Sequence, residues 1–597
     1  MFFPHGPDRR DRWAGARAHG TTTVTAAIAI LLGLPLIMLA ANDEWIFDST
    51  HFFDTNVYVG FFRHYLEFKM PFVANYKSSR LPFVLPGVLA YHLFSPVVAH
   101  HVLFLAFRSA ETVLLFAMVK RHYGARTAFV TTAVSAVFTV PHPLTSYHVQ
   151  TTSTYLIAAL ASIDLPRRRP LPIRALGAGF FFALGTTTDT VLIALIPMLG
   201  LYALTAEPRP YRVGRLALIA LSLAGGAVGA LALTGLVNVA LGGPFLFFLD
   251  QLHYSLHVAK GQAISLVPLA DFVRHLSEFP WLVLPLVASA GALGVLVGAV
   301  ARRGRWKERP ALDAACLLIS VAVAAVMQVR GLGVLEYPHL FHPFYIPIFL
   351  GLPAILSAGR RRFDVALGPV FMAIVALAAL VPLMVLGEPI SRLLVRLTPR
   401  WPAAANGVPF GLAAVVIGLG AGWFMRSRAR VSLAVSAACL SLANGFCVTP
   451  WQPAYVYQLG GKCRFRRDAF QAIIAADDAI AAFDPENEAR WASSSGPLEY
   501  PDFDGTGWCQ RLPVQTVARS ALLTHYFYTT EDFISGVRTP PLKKIVLAGT
   551  SRAEVDGLEA QAKTGLPPGA TLARTLDREF AYRTFVLHLR GLDVTRP

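Results

Sequence analysis

The sequence predicts an all-α polytopic membrane bundle of about 13 spanning helices, followed by a small C-terminal α/β domain. Three observations predict it. Hydrophobic residues make up 54% of the 597 and charged residues only 15%, against roughly 25% charged in an ordinary soluble domain, and mean hydropathy is +0.51. Apolar runs approaching the ~20 residues that a bilayer core demands recur through the first three quarters of the chain, with short basic clusters between alternate pairs. Residues 450–597 then carry 17 basic and 17 acidic side chains, so the whole excess of +17 lies upstream of them. This pattern excludes a soluble enzyme, a disordered chain and a small disulfide scaffold. A pI near 9.9 would by itself suggest nucleic acid. Basic residues clustered between apolar runs instead mark cytoplasmic loops, and no nucleic-acid partner is expected.

The elements follow in order. A leader, residues 1–20, carries Arg9, Arg10, Arg12 and Arg17. The run 21–41 is too long for the apolar core of a typical signal peptide and reads as a retained anchor with the N-terminus inside. Residues 21–449 make up the membrane domain, with its first outer loop over 42–96. Further runs cover 97–119, 127–141, 152–165, 173–186, 189–205, 215–239, 280–301, 311–329, 341–358, 364–387, 408–425 and 431–448. The clusters between them are Lys120-Arg121 with Arg126, Arg167-Arg168-Arg169, Arg209 with Arg212 and Arg215, Arg302-Arg303 with Arg305 and Lys307, Arg360-Arg361-Arg362, and Arg426 with Arg428 and Arg430. Thirteen spans place all of these on the N-terminal side. Residues 81–96 are apolar too, but as a further span they would put the later clusters outside, so they read as an interfacial or re-entrant helix.

An odd number of spans leaves residues 450–597 outside as a soluble domain. Within it, 468–483 has the spacing of an amphipathic helix and 543–551 reads as a buried strand. Cys463 and Cys509 fall there, in an oxidising compartment where a disulfide between them can form. Cys316, Cys439 and Cys447 fall in apolar runs as packing residues.

The most unusual stretch is 42–87. It holds Asp43, Glu44, Asp48, Asp54 and Glu67 among His51, Tyr58, Tyr65 and Tyr76, and it leads through Lys77 to Arg80. A carboxylate at a membrane surface can take the proton of an acceptor hydroxyl as that hydroxyl attacks. It can also hold a divalent cation through oxygen ligands. A solvated loop with an interfacial aromatic belt accounts for the same residues.

The order of motifs goes further. Asp54-Thr55-Asn56-Val57-Tyr58 lies in the first outer loop, "YKSSRLPFVLPGVLAYHLF" follows, and a long run then ends in "KRHYGAR". This resembles the polytopic glycosyltransferases of the GT-C fold, the class that includes protein O-mannosyltransferases and lipid A aminoarabinose transferases. The resemblance is best over residues 21–202 and extends loosely to "EYPHLFHPFYIPIFLGLP" at 336–353. It implies a multi-pass protein of the bacterial inner membrane with a cytoplasmic N-terminus and a periplasmic C-terminal domain. The implied donor is a sugar on a polyprenyl phosphate, and the implied acceptor a cell-envelope glycan, lipid or protein. Transfer usually inverts the anomeric centre, and no cofactor beyond a divalent cation is suggested.

Asp54 matches the essential loop acid. Asp48 in "FDSTHFF" is the second candidate, although the family's Glu is Ser49 here. The second outer loop, 140–156, holds His142, His148 and Gln150 but no carboxylate, a departure from relatives that place an acid there. A lipid-phosphate leaving group calls for cations or hydrogen-bond donors, for which Lys77, Arg80, Arg330, His339 and His342 are the candidates. Tyr58, His148, Gln150 and Asp189 are candidate substrate contacts. The structural alternatives are snorkelling to headgroups for Lys77 and Arg80 and helix-end packing for the two histidines.

Arg108 and Glu111 are three apart on one helical face and read as a structural pair. Asp189, after Thr186-Thr187-Thr188, either faces the outer cavity or caps the following helix. His253 and His257 have the spacing of two metal ligands on a helix but no third partner, so no metal site is assigned. Phosphate-loop, Gly-x-Ser-x-Gly and His-Glu-x-x-His patterns do not occur, which leaves an ATP-driven pump, a hydrolase and a metalloprotease without support. Two rivals stand beside the transferase. One is a transporter or lipid-linked-oligosaccharide flippase, which needs mid-span charges facing a pathway. The other is a scaffold whose outer domain binds a partner.

Overall fold

The computed structural model describes residues 24–36 (except 26 and 34), 58–65 (except 64), 79–138, 147–165, 169–206, 212–249, 252, 282–301, 308–335 (except 331), 338–359, 467–484, 490–493, 543–549, 551–564, 569–582 and 585–595. The described part of 24–36 and of 58–65 is helical; the second is called the loop helix below. The membrane part continues as α1 (Leu81–Leu93), α2 (Pro96–Tyr123), α3 (Ala125–Phe138), α4 (Tyr147–Asp164) and α5 (Leu171–Thr188). A 3-10 turn, Thr190–Leu195, leads into α6 (Ile196–Thr205), followed by α7 (Val213–Ala240), α8 (Val283–Ala301) and α9 (Arg309–Val329). Single turns at Pro338–Phe341 and His342–Phe344 precede α10 (Tyr345–Gly359).

Local chemistry sets several of these ends. Pro82, Pro96 and Pro172 stand in the first turns of α1, α2 and α5, where a missing N–H costs nothing. Lys120, Arg121 and His122 close α2, where cations complement the helix dipole, and Gly124 turns the chain with φ +85°.

Four helices among the described residues are long and apolar enough to cross a membrane: α2, α7, the 284–301 part of α8, and α9. That is fewer than the thirteen spans expected, and two of the expected runs are broken. Run 189–205 is a 3-10 turn plus a 10-residue helix. Run 341–358 begins with irregular turns around Pro343 before α10. Residues 81–93 form a separate 13-residue helix, about 20 Å long at 1.5 Å per residue and too short to span. Runs 364–387, 408–425 and 431–448 lie outside the described residues, as do His142, His253, His257, Cys439, Cys447, Cys463 and Cys509.

Helices α5 and α7 meet backbone to backbone. A Cβ on Gly179 would come 1.9 Å from the Leu223 carbonyl oxygen, and one on Gly226 would come 1.9 Å from that of Leu176. In lipid, such close approach of small residues is what holds helices together. Gly226→Ala is therefore expected to lower the stability of the detergent-solubilised protein by about 1–3 kcal/mol, the usual cost of overpacking. Gly225→Ala, where a Cβ meets nothing within 4 Å, should be neutral. A lower thermal-unfolding midpoint for the first variant alone is the check.

A polar clasp joins α2, α4, α6 and α9 at one end of the bundle. Asp164 accepts from His122 Nε2 at 2.7 Å and lies 3.6 Å from Arg309 Nη1. Arg309 Nε donates to Asp313 at 2.9 Å, and its guanidinium lies against Tyr202. The Tyr123 hydroxyl donates to Asp313 Oδ2 at 2.7 Å.

The C-terminal part comprises α11 (Arg467–Phe483), β1 (Arg490–Ser493), β2 (Lys544–Gly549), α12 (Arg552–Thr564), β3 (Thr571–Tyr582) and β4 (Phe585–Thr595). The sheet order is β1-β2-β4-β3. The β1–β2 pair is parallel and the other two are antiparallel, with Val546 opposite Gly591 and Phe580 opposite Leu587. Alternation along β2 divides the core. Ile545 and Leu547 face Val555 and Leu558 of α12, while Val546 and Ala548 join Ala476 and Ile480 of α11.

Arg590 of β4 is 1% exposed and donates to Asp556 and Glu559 at 2.7 Å each. Burial pushes the Glu559 carboxyl up, but bonds from Lys563, Arg574 and Arg590 outweigh it and hold the group at about 2. A carboxylate held below its unfolded value of about 4.3 adds stability above that pH and loses it as pH falls towards 2. The unfolding temperature of this domain, read as loss of amide protection in β4, should fall by several degrees between pH 5 and pH 3. Glu559→Gln should flatten that fall.

Candidate functional site

The end of the bundle opposite the clasp gathers the sequence-predicted polar residues. The loop helix supplies Tyr58, whose hydroxyl accepts a 2.6 Å hydrogen bond from Arg80 Nη1. Arg80 stands just before α1 and is 8% exposed. The Tyr58 ring packs edge-on against Phe83 of α1 at 4.8 Å and lies 5.7 Å from the His148 ring.

His148 belongs to the first turn of α4, a helix whose beginning is polar in sequence. His148, Gln150, Thr151, Thr152, Ser153 and Thr154 are all buried. A helix can carry such a run into the bundle because several of its hydroxyls bond backbone carbonyls one turn earlier: Thr152 to His148 and Thr154 to Gln150. The Tyr155 hydroxyl donates to the Pro82 carbonyl at 3.0 Å, fixing α4 to the start of α1.

Asp189 completes the group. It is 3% exposed, ends α5 with extended backbone, and accepts from Val191 N at 3.1 Å. It therefore does cap the 3-10 turn. Its Oδ2 also lies 3.8 Å from His148 Nε2, and the charge of Arg80 bears on it. His342 joins from the turn before α10, where its Nδ1 is 2.7 Å from Ser153 Oγ.

Arg80, Tyr58, His148 and Asp189 are thus brought together, while His342 meets α4 at Ser153, about 140° round the helix from His148. Gln150 turns elsewhere: its Nε2 donates to Glu111 at 2.5 Å. Arg330 is exposed at the end of α9 and makes none of these contacts. His339 lies in the Pro338–Phe341 turn, with its side chain outside the described residues. Asp48, Asp54 and Lys77 lie outside them too. Among the described residues no three His, Cys, Asp or Glu side chains gather as a metal site. Sequence reading missed Ser153 and Phe83. Ser153 had one signal, its place one turn after Gln150 on the polar face of α4.

The arrangement sets a buried guanidinium beside a phenol and an imidazole beside a carboxylate. The first pair suits an anionic oxygen, and the second suits hydroxyl groups. Mid-span charge is handled differently. Arg108 Nη1 donates to Glu111 Oε1 at 2.6 Å, and Nη2 to the Ser135 carbonyl at 2.6 Å. With Gln150 on the other Glu111 oxygen, the expected pair is closed on itself and 1% exposed on both sides.

No protein-family model matches the chain, and no curated protein does either. Two crystal structures of ArnT from Cupriavidus metallidurans do match, one bound to undecaprenyl phosphate and one in the apo state. Identity is 15% and 14%, the TM-score is 0.50 for both, and each match covers 96% of this chain and 98% of that one. At this identity the likeness speaks for the fold: the chain has the GT-C fold of a polytopic membrane protein, the fold of ArnT.

Proposed function

We propose that this chain is an inverting hexosyl- or pentosyltransferase of the bacterial inner membrane. It moves a sugar from a polyprenyl-phosphate donor to a cell-envelope glycan, lipid or protein on the periplasmic face. The observation that carries the reading is the meeting of Arg80, Tyr58, His148 and Asp189 at one end of a bundle. That bundle has the fold of ArnT, whose crystal structure holds undecaprenyl phosphate.

In this reading Asp54 takes the proton of the acceptor hydroxyl, with Asp48 as the second candidate. The hydroxyl oxygen attacks the anomeric carbon from the face opposite the phosphate. The bond from that carbon to the phosphate oxygen breaks, and polyprenyl phosphate leaves with the electron pair. No protein nucleophile takes part. Arg80 and Lys77 stabilise the departing charge, with His342, His339 and Arg330 at the phosphate's approach. Tyr58, His148 and Asp189 hold sugar or acceptor hydroxyls. Gln150 acts from behind by fixing α4 to Glu111, and a divalent cation remains an optional partner of the loop acids. The N-terminus is cytoplasmic and residues 450–597 are periplasmic, with Cys463 and Cys509 as their disulfide pair.

The flippase alternative needs mid-span charge open to a pathway, whereas Arg108 and Glu111 are closed on each other. The test is turnover by purified protein in lipid nanodiscs, given a panel of polyprenyl-phosphate sugars with candidate acceptors. Release of free polyprenyl phosphate is expected. Labelled donor crossing a liposome bilayer with no release would sink the transferase in favour of the flippase.

A further inference from the structure

The loop helix is buried on several faces, with Tyr58, Val59, Phe61 and Phe62 at 0% exposure and Tyr65 at 4%. A short helix whose apolar side chains are buried on several faces is held on more than one side. At about 100° per residue, Tyr58, Phe62 and Tyr65 share one face. That face meets the membrane bundle at three points. Tyr58 takes the Arg80 bond. Phe62 packs on Phe83 and Tyr91 of α1, so close that a Cβ on Gly87 would meet its ring at 2.2 Å. The Tyr65 hydroxyl donates to Asn238 of α7 at 3.1 Å.

Arg63 leaves the helix about 140° away from Tyr58 and turns to the C-terminal domain. Its Nε is 3.2 Å from Asp477 Oδ2, and its Nη2 bonds Asp478. Asp477 is 0% exposed and the Arg63 side chain 11%. A buried carboxylate needs such a partner, and breaking a buried pair by removing one member is far costlier than losing a surface one. The apolar contact is continuous as well. Tyr58, Phe61 and Phe62 fall in one cluster with Ala472, Ala476 and Ile480 of α11 and Leu589 of β4.

We infer that Arg63 and Asp477 are positioning residues, a latch by which the C-terminal domain clamps the loop helix against the bundle and sets the place of Tyr58 and Arg80 in the site. The inference rests on the transferase reading above and gives the C-terminal domain a share in forming that site.

Its test has two readouts on full-length protein in nanodiscs. The first is amide exchange of peptide 58–65, which needs no substrate. Arg63→Gln and Asp477→Asn should each speed it at least tenfold, with α9 unchanged. The charge swap Arg63→Asp with Asp477→Arg should restore much of the protection and guards against simple misfolding. The second is kinetics: kcat should fall at least tenfold in each single variant while KM for the donor changes less than threefold, and the swap should recover kcat. Unchanged exchange at 58–65 would overturn the latch whatever the activity. Faster exchange with full kcat would overturn the positioning role. Faster exchange in variants of a wild type that turns over no donor would uphold the mechanical latch and place the failure in the transferase reading.

Discussion

Asp54→Asn lowers kcat by about 10²–10⁴-fold, the range that a general base contributes, while donor KM stays near the wild-type value. The reason is chemical. A sugar hydroxyl is a weak nucleophile until something accepts its proton, and an amide oxygen accepts it far less readily than a carboxylate. Donor binding depends instead on the lipid, the phosphate and the sugar, which Asp54 does not hold in the mechanism above. The measurement is release of polyprenyl phosphate under saturating donor, with acceptor varied. Asp48→Asn should keep kcat within about tenfold of wild type on the same argument. The reverse ranking would move the base to Asp48, and equal turnover in both variants would remove the loop acids from the reaction.

Glu111→Ala destabilises the protein by about 3–5 kcal/mol, the cost of leaving one member of a buried ion pair alone. Arg108 is 1% exposed in the middle of a 28-residue span. Its Nη1 would lose its carboxylate, and the Gln150 amide nitrogen would lose its acceptor in the same step. Arg108→Met with Glu111→Leu removes both charges together and should recover most of the loss, because apolar replacements of a whole pair are often neutral. Thermal unfolding of the three proteins in one detergent separates these cases. A double variant as unstable as Glu111→Ala would show that the pair contributes more than mutual neutralisation.

What could be read from the sequence follows the range of each interaction. The 468–483 helix and the strand within 543–551 were legible because period and turn signals act over a few residues; they are Arg467–Phe483 and Lys544–Gly549 in the structure. The Arg108–Glu111 pair and the Asp189 cap were legible for the same reason, being three and two residues from their partners. The β3–β4 hairpin was not foreseen. Most of β3 is exposed, so it lacks the buried face that would have marked it. The contact between Ser153 and His342 bridges 189 positions, and that between Arg63 and Asp478 bridges 415. No local pattern encodes either, so Arg63 gave no sign of its role. The breaks in runs 189–205 and 341–358 escaped hydropathy, which does not register a change of backbone path, although Pro343 marks the second of them in the sequence.

The polar clasp bears on the lipid around the protein. In α4 the distance from His148, beside Asp189, to Asp164 in the clasp is about 24 Å of helix at 1.5 Å per residue. An unperturbed hydrocarbon core is about 30 Å thick. Either the bilayer thins beside α4 or one polar layer lies below the headgroups. Hydrophobic mismatch costs fractions of a kcal/mol per Å, so a gap of this size equals the strength of a hydrogen bond or two. Acyl-chain length thereby becomes a control on how deep the Arg80 end of the bundle sits.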